Sequence, residues 1–431
     1  MIRTVKGTQD FQSIPCSQRT EILKTIENIF QQNGGRPYKT PLLEYTDILQ
    51  KKYGDGEKEI YTVKSREDED SSSLRYDLTV PLTRYCLQYG IQKARLYQIG
   101  SVFRLDTPNI SHGRFREFIQ CDLDFIGEPE DNMSVEAQIL YIGVQICTKL
   151  GINYSIHLNF RNVLVKSLMD LGVKTEQINS VCTSLDKLEK IGVEGVRTEL
   201  ENKNIPSSVV SAVLDLSRGL LLTTEKFTKL MTYCQTLGFY SRIMPNIYLA
   251  RGMDYYTGLI FEFVTDNAEL GSIIAGGRYD GLNCTLRESS DSVIVPQIGI
   301  SVGFDRVYLY LQKQQMLLFV VLPPVNRVYL GRIDQPTKTE ATEDIDTDLV
   351  AYQLRVWKLL LSVTEVYCSS FSRSISKHLK YAIQNAFTHL AIVGQTELHN
   401  NSFSMKNLST GTQQTVSIDV SDMKLRLILG I

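Results

Sequence analysis

Gln120, Asp122 and Asp124 place an amide and two carboxylates at alternate positions, with Arg104, Arg114 and Arg116 shortly before them. Together these groups could hold a zwitterion and a phosphate side by side, since carboxylates accept from an ammonium and guanidinium groups pair with anionic oxygens. The run that carries them, YQIGSVFRLDTPNISHGRFREFIQCDLDFIG from Tyr97 to Gly127, reads as two strands joined by a polar, basic loop. From Phe118 onward the period is two: Ile119, Cys121, Leu123 and Phe125 share one face, and Gln120, Asp122 and Asp124 the other. A solvated outer face accounts for such a polar row when it stands alone. Here Arg104 sits at the mouth of the loop and Arg114 and Arg116 return on its far side, so cations and carboxylates converge on one hairpin.

The elements around this hairpin can be read from the same patterns. Residues 17–33 begin with Ser17 as an N-cap, carry Ile22, Leu23, Ile26, Ile29 and Phe30 on one stripe, and stop at Gly34 and Gly35. PYKTPLLE and SSLRYDLTVPLTRY read as extended, with Arg75, Asp77 and Thr79 alternating against Leu74, Tyr76 and Leu78 before Pro81 turns the chain into a helix. The charged run GDGEKEIYTVKSREDEDSSS between them is expected to be a solvated hairpin tip. From about 160 to 245 the spacing is helical, which predicts a helical insertion in a sheet-rich domain. Sheet character returns in YLARGMDYYTGLIFEFV and SIIAGGRYDGL, and IGISVGFDRVYLYLQ gives a strand passing into a helix. Near residue 318 a separate α/β module begins, with the acidic run Glu340 to Asp348 expected as a surface loop.

Bulk properties exclude more than they assign. A chain of 431 residues exceeds what one core usually supports, so two or three domains are expected. A net charge of -2 excludes a uniformly basic nucleic-acid coat and leaves room only for a local basic groove. The eight cysteines are dispersed, with no CxxC pair and no zinc-type Cys/His spacing, as in reduced thiols of an intracellular protein. Met1 runs into IRTVKGTQDF with neither an apolar signal core nor a long Arg-rich leader, and no later segment has the apolar length of a membrane helix. The expected location is cytoplasmic, without membrane contact.

Four separated segments supply the polar and glycine-rich groups: RYDLT, FRLDTPNISHGRFREFIQCDLD, RGMDYYTG with AGGRYDG, and GFDR. With these in place the chain resembles the histidyl-tRNA synthetases, class II aminoacyl-tRNA synthetases, from KGTQDF near its start to VGQTELHNNSFSMKNLSTGTQQTV near its end. RGMDYYTG and AGGRYDGL resemble the two histidine-specific motifs; YKTPLLE, FRLDTPNISHGRFREF and IGISVGFDRV resemble the three general class II motifs. The resemblance implies an α+β fold: residues 1–317 as a catalytic domain with a mainly antiparallel sheet and the insertion at about 160–245, and 318–431 as an α/β anticodon-binding domain. It also implies a homodimer formed through motif 1.

The activity implied is activation of L-histidine by ATP to histidyl-adenylate, then transfer to the 3' end of tRNA(His). In-line attack of a carboxylate on the α-phosphorus builds charge on that phosphate, which preorganised guanidinium groups stabilise. By resemblance Arg104 and Arg251 fill this catalytic role. Asp77, Thr79 and Gln120 resemble the set that holds the α-amino group; Asp124, with Tyr256 and either Tyr255 or Tyr279, resembles the set that holds the imidazole. Gly276 and Gly277 would let backbone approach the ligand. Asp122 fits a structural role and a ligand role equally. ATP is expected on Arg104, Arg116, Glu117, Phe118 and Arg306, with Phe118 stacked on adenine. Mg2+ is implied by the nucleotide; its ligands are unassigned, with Glu117 the first candidate. The tRNA is expected at Asn109, Ser111, His112 and Arg114 of the motif 2 loop, and at Gln395 and Glu397, where a loop follows a strand.

Two features depart from the family pattern. VNRVYLGRIDQPTKTEATEDIDTDLVAYQ differs from what the early C-terminal module usually carries, and Leu105 stands where a polar or basic residue is common. Two other classes share parts of this architecture. A histidine-sensing regulatory subunit of a phosphoribosyltransferase tends to lose the histidine motifs or the C-terminal domain, and both are present here. A sensor of uncharged tRNA is ordinarily fused to a kinase, and the chain carries no kinase glycine loop or HRD-like segment.

Overall fold

A computed structural model of the chain describes residues 2–50, 53, 58–64, 71–129, 133–216, 224–250, 255–267, 269–287, 293–319, 327–333 and 342–431. They divide into two units, Met1–Val320 and Val321–Ile431.

The first unit is organised by an eight-stranded sheet. In chain order its strands are β1 (Arg36–Pro37), β5 (Ala94–Phe103), β6 (Glu117–Ile126), β7 (Tyr154–Phe160), β8 (Ile243–Pro245), β9 (Leu259–Thr265), β10 (Ser272–Arg278) and β11 (Gln297–Gly303); the missing numbers are β2 (Leu43–Tyr45), β3 (Thr62–Val63) and β4 (Ser72–Leu74) of a separate three-stranded sheet. The spatial order is β1-β5-β6-β11-β10-β9-β7-β8. Every pairing from β5 to β7 is antiparallel, and a short parallel strand closes each edge. Both edge strands contain a proline, Pro37 and Pro245, which suits an edge because the missing N–H has no neighbour to serve.

The period-two face of β6 is the core face. Cys121, Leu123 and Phe125 pack in one cluster with Ile22, Ile26 and Phe30 of the helix Ser13–Gln32 and with Ile139, Leu140 and Ile146 of the helix Ser134–Leu150. The first of these helices starts four residues before the expected Ser17 cap, because Pro15 falls in its first turn, where an amide proton would have no helical partner.

The alternation of Arg75, Asp77 and Thr79 does not make a strand. β4 ends at Leu74 and a helix, Thr79–Tyr89, begins two residues before Pro81. Asp77 explains the switch: its Oδ1 accepts the Val80 N–H at 3.1 Å, satisfying a first-turn amide as a capping side chain does. The helical insertion is present, as Arg161–Asp170, Ile178–Leu185, Leu188–Asn202, Ser207–Leu214 and Glu225–Thr236. The first four share a core of their own, including Leu168, Val181, Leu200 and Val210. The last buries Phe227, Leu230 and Cys234 in the main core, so the insertion returns to the sheet earlier than its composition suggests.

The second unit is a five-stranded sheet, β12 (Arg327–Arg332), β13 (Glu365–Ser372), β14 (His389–Val393), β15 (Ser402–Asn407) and β16 (Gln413–Ser417), in the order β13-β12-β14-β15-β16. β12 lies parallel to both neighbours and the remaining pairings are antiparallel. The acidic run expected as a loop instead opens a helix, Thr342–Leu361. Carboxylates at a helix N-terminus are favoured by the unpaired N–H groups there, so the charge pattern that reads as solvated loop is equally a helix start. Residues 340 and 341, and the charged tip at 65–70, lie outside the described residues.

Candidate active site

β5 and β6 run antiparallel with Gln98 opposite Asp122 and Leu96 opposite Asp124, and β11 flanks β6 on its other side with Gly303, Ser301 and Gly299 opposite Gln120, Asp122 and Asp124. This register puts the polar row mid-sheet. Gln120, Asp122 and Asp124 are 9%, 2% and 2% exposed, so a solvated outer face is excluded. A cleft opens beside the row. Asp77, Thr79, Arg104, Gln120, Tyr255 and Tyr256 line it, joined by Phe118, Arg114 and Arg306. Residues far apart in sequence thus meet at one place.

Asp77 and Asp124 are held by hydroxyls. Asp77 accepts from Tyr53 Oη at 3.0 Å and Tyr255 Oη at 3.2 Å, besides the Val80 amide. Asp124 Oδ1 accepts from Tyr279 Oη at 2.7 Å, while its Oδ2 is buried without a partner. A side chain at Gly299 would collide with Asp124 Oδ1, so glycine opposite Asp124 gives the carboxylate its room. Burial pushes all three carboxyls upward. Asp77 is raised by burial against the opposing pull of its hydrogen bonds and Arg104. Asp122 is raised well up by burial and then by the charge of Asp124. Asp124 is pushed up to about 7 by burial, with the Tyr279 bond opposing and Asp77 adding. A pocket that makes anions costly in this way favours a cationic ligand that compensates them.

Arg104 faces these acids from the end of β5. Its Nε donates to the Tyr76 carbonyl at 3.3 Å, and the guanidinium lies 4.2 Å from the Tyr76 ring centroid and 5.2 Å from that of Phe118. Arg306 donates to the Ser272 carbonyl at 2.8 Å. Its neighbour Asp305 ties three elements together: it pairs with Arg19 at 2.7 Å and accepts the Ile119 N–H of β6 at 2.7 Å. Arg19 itself lies 3.8 Å over the Phe11 ring. Sequence reading missed Tyr53, Ser301, Asp305 and Arg19. Only Asp305 had a signal, its place in GFDR beside Arg306.

Other expected residues fall elsewhere. Asp124 and Tyr279 do not reach the wall of the cleft and lie buried behind it. Gly277 does not line the cleft either: a Cβ there would meet the Leu259 carbonyl at 2.5 Å and the Tyr256 ring at 2.9 Å, so the glycine makes room for the protein itself rather than for an incoming ligand. A Cβ at Gly276 would meet the Gly299 carbonyl and the Phe261 ring, again the protein itself. Glu117 is exposed at the start of β6 and Arg116 packs under the N-terminal segment, its N–H bonded to the Gly7 carbonyl at 2.8 Å; neither lines the cleft. Arg251 lies outside the described residues.

At the loop tip Asn109 and Arg114 exchange backbone bonds of 3.0 and 2.9 Å, and His112 Nδ1 lies 2.9 Å from Asn109 Oδ1. Asn109, His112, Arg114 and Arg306 line a second, larger cavity that also borders the insertion at Asp186 and Leu188. In the second unit Gln395 and Glu397 belong to a short helix, Gln395–His399, rather than a loop; both line a pocket over Leu390 and Ile392, and Glu397 accepts from Ser404 Oγ at 3.1 Å. Among the described residues no three His, Cys, Asp or Glu side chains are grouped to hold a metal, and no helix is long and apolar enough to cross a membrane.

The chain is similar to known proteins. The histidine--tRNA ligase, cytoplasmic, of Dictyostelium discoideum is 30% identical over all of this chain and 91% of its own. The probable histidine--tRNA ligase, cytoplasmic, of Encephalitozoon cuniculi is 31% identical over 97% of both chains. The crystal structure of histidyl-tRNA synthetase from Nostoc sp. PCC 7120 superposes with a TM-score of 0.69 at 26% identity, covering 99% of each chain. The mainly antiparallel sheet is that of the class II aminoacyl-tRNA synthetase fold. The family model described as histidyl-tRNA synthetase matches residues 7–307, and the chain belongs to that family.

Proposed function

We propose that the chain is an ATP-dependent histidine–tRNA ligase, which activates L-histidine to histidyl-adenylate and transfers it to the 3' end of tRNA(His). The observation that carries this reading is the convergence of Asp77, Gln120 and Arg104 on one cleft, with Asp124 buried behind it. Asp77, Thr79 and Gln120 hold the α-ammonium, whose charge offsets the buried acids. Asp124 Oδ2, buried without a partner, accepts an imidazole N–H, with Tyr255, Tyr256 and Tyr279 around the ring. A buried acceptor of this kind discriminates because an amino acid without a ring N–H leaves it unpaired.

The ligand carboxylate is already ionised, so activation needs positioning and charge stabilisation more than proton transfer. Arg104 and Arg251 stabilise the α-phosphate, and Phe118 and Arg306, which line the cleft, hold the nucleotide. Mg2+ would accompany the ATP phosphates, with Glu117 the first candidate among the protein's carboxylates. Residues 1–317 serve catalysis and 318–431 bind the anticodon, with Gln395 and Glu397 in contact. Asn109 and Arg114 border the second cavity, which accommodates the acceptor end. The exposed Leu42, Leu43 and Tyr45 of motif 1 support a homodimer, and a monomeric mass by light scattering would count against it. The cytoplasmic relatives support a cytoplasmic location.

The test is ATP/pyrophosphate exchange with each amino acid in turn. Exchange with histidine alone supports the reading. No exchange, in folded protein that binds histidine, overturns it in favour of a histidine-sensing regulator.

A further inference from the structure

Asp305 and Arg306 follow one another in GFDR and both line the cleft, as does Phe118 on β6. β11 ends at Gly303 opposite Gln120, where the chain turns into the helix Phe304–Lys313. The Ile119 N–H on that side of β6 therefore has no strand to serve and needs another acceptor. Asp305 supplies it: its Oδ2 accepts the Ile119 N–H at 2.7 Å. One carboxylate thus fixes Phe118 through its neighbour on β6 and Arg306 through its neighbour on the helix. Gly113 of the motif 2 loop is seated against the same arginine, since a Cβ there would lie 2.7 Å from Arg306 Cγ. A carboxylate on the wall of a cleft that takes a polyphosphate also repels it. Arg19, from the helix Ser13–Gln32, removes that charge: its Nη1 lies 2.7 Å from Asp305 Oδ1, and both residues are 7% exposed. The rings of Phe11, Phe304 and Tyr308, at 3.8, 4.7 and 5.2 Å, enclose the guanidinium, so the pair is little screened by water.

We propose that Asp305, neutralised by Arg19, is a positioning residue for ATP: it holds the Phe118 end of β6 and Arg306 around the nucleotide while presenting no net negative charge to the phosphates. The inference rests on the ATP-dependent reading above and assigns neither Asp305 nor Arg19 a contact with the nucleotide. Histidine binding is insulated from the pair. From Gln120 onward β6 is paired on both sides, to β5 and to β11, and Gln120 Nε2 donates to Ser301 Oγ at 2.7 Å. Arg19→Met leaves the carboxylate bare beside the phosphates. Asp305→Asn keeps one acceptor for the Ile119 N–H and turns its NH2 toward the Arg19 donors. Made together, the two changes remove both the bare charge and the opposed donors and keep the acceptor.

The test measures ATP and histidine separately, by calorimetric titration of the full chain with each ligand, Mg2+ being present with ATP. Each single variant is expected to bind ATP roughly tenfold or more weakly, the scale of one hydrogen bond to a charged group, while the Kd for histidine stays within about twofold. The KM for ATP in pyrophosphate exchange should rise in parallel, and that for histidine should not. The double variant should bind ATP more tightly than either single one, a recovery that loss of packing alone does not produce. Equal losses for ATP and histidine, unchanged ATP binding in both single variants, or a double variant no better than Arg19→Met would overturn the proposal. If Arg19→Met does not fold, the split between ATP and histidine in Asp305→Asn decides it. Wild-type protein that binds ATP without histidine-dependent exchange would instead defeat the activating reading, and the ATP titrations would still report on Asp305.

Discussion

Replacing Asp124 with asparagine is expected to stabilise the empty protein at alkaline pH while removing its preference for histidine. Burial lifts this carboxyl from its ordinary 3.8 to about 7. A folded-state pKa above the unfolded one means that the fold prefers the protonated acid. The stabilising contribution is therefore complete below the unfolded value and is lost as pH rises through the folded one. A rise of about three units corresponds to ~4 kcal/mol against the fold well above neutrality, of which ~2–3 kcal/mol develops between pH near 5 and pH near 8. Asparagine is neutral throughout and keeps an oxygen for the Tyr279 hydroxyl, which lies 2.7 Å from the present Oδ1. Asp77 and Asp122 titrate in both proteins; without the Asp124 charge Asp122 is itself raised less, which flattens the variant's profile further. Urea unfolding of both proteins at the two pH values, followed by circular dichroism, measures the difference. The wild type should lose ~2–3 kcal/mol relative to the variant on going to the higher pH. Parallel profiles would refute the buried, uncompensated carboxylate. In exchange assays, unchanged discrimination against other amino acids by the variant would remove Asp124 from the ring pocket.

Three further outcomes are expected. Gly299→Ala puts a methyl 2.9 Å from Asp124 Cγ, so the KM for histidine should rise about tenfold while that for ATP changes less; equal changes in pyrophosphate exchange would contradict the assignment. Arg278→Met leaves Glu136 buried at 0% exposure without its ion-pair partner, and should destabilise the first unit by ~3–5 kcal/mol in urea titrations, whereas a loss below ~1 kcal/mol would contradict the pair's importance. Arg251→Ala should slow adenylate formation in single-turnover measurements far more than it weakens histidine binding, and equal losses would speak against a transition-state role.

The hairpin from Tyr97 to Gly127 was legible because period two is a local signal, and both strands and their polar loop lie where the alternation puts them. Period two separates faces without saying what covers each, so the burial of Asp122 and Asp124 became visible only once β11 and the tyrosines stood around them. The same alternation misled at Arg75, Asp77 and Thr79, where a capping carboxylate starts a helix two residues before Pro81. The acidic run before residue 350 misled for a related reason, since carboxylates suit a solvated loop and a helix N-terminus alike. Tyr53 and Asp77 are 24 positions apart, Gln120 and Ser301 181, and Ile119 and Asp305 186. Such pairings depend on sheet order, which no local pattern encodes.

The most direct measurement is charging itself: radiolabelled histidine, ATP and purified protein incubated with tRNA(His) and with a mixture of other tRNAs. Label esterified to the 3' end of tRNA(His) and absent from the others is the result expected. Histidine-dependent pyrophosphate exchange without any transfer of label to tRNA(His) would contradict the ligase function.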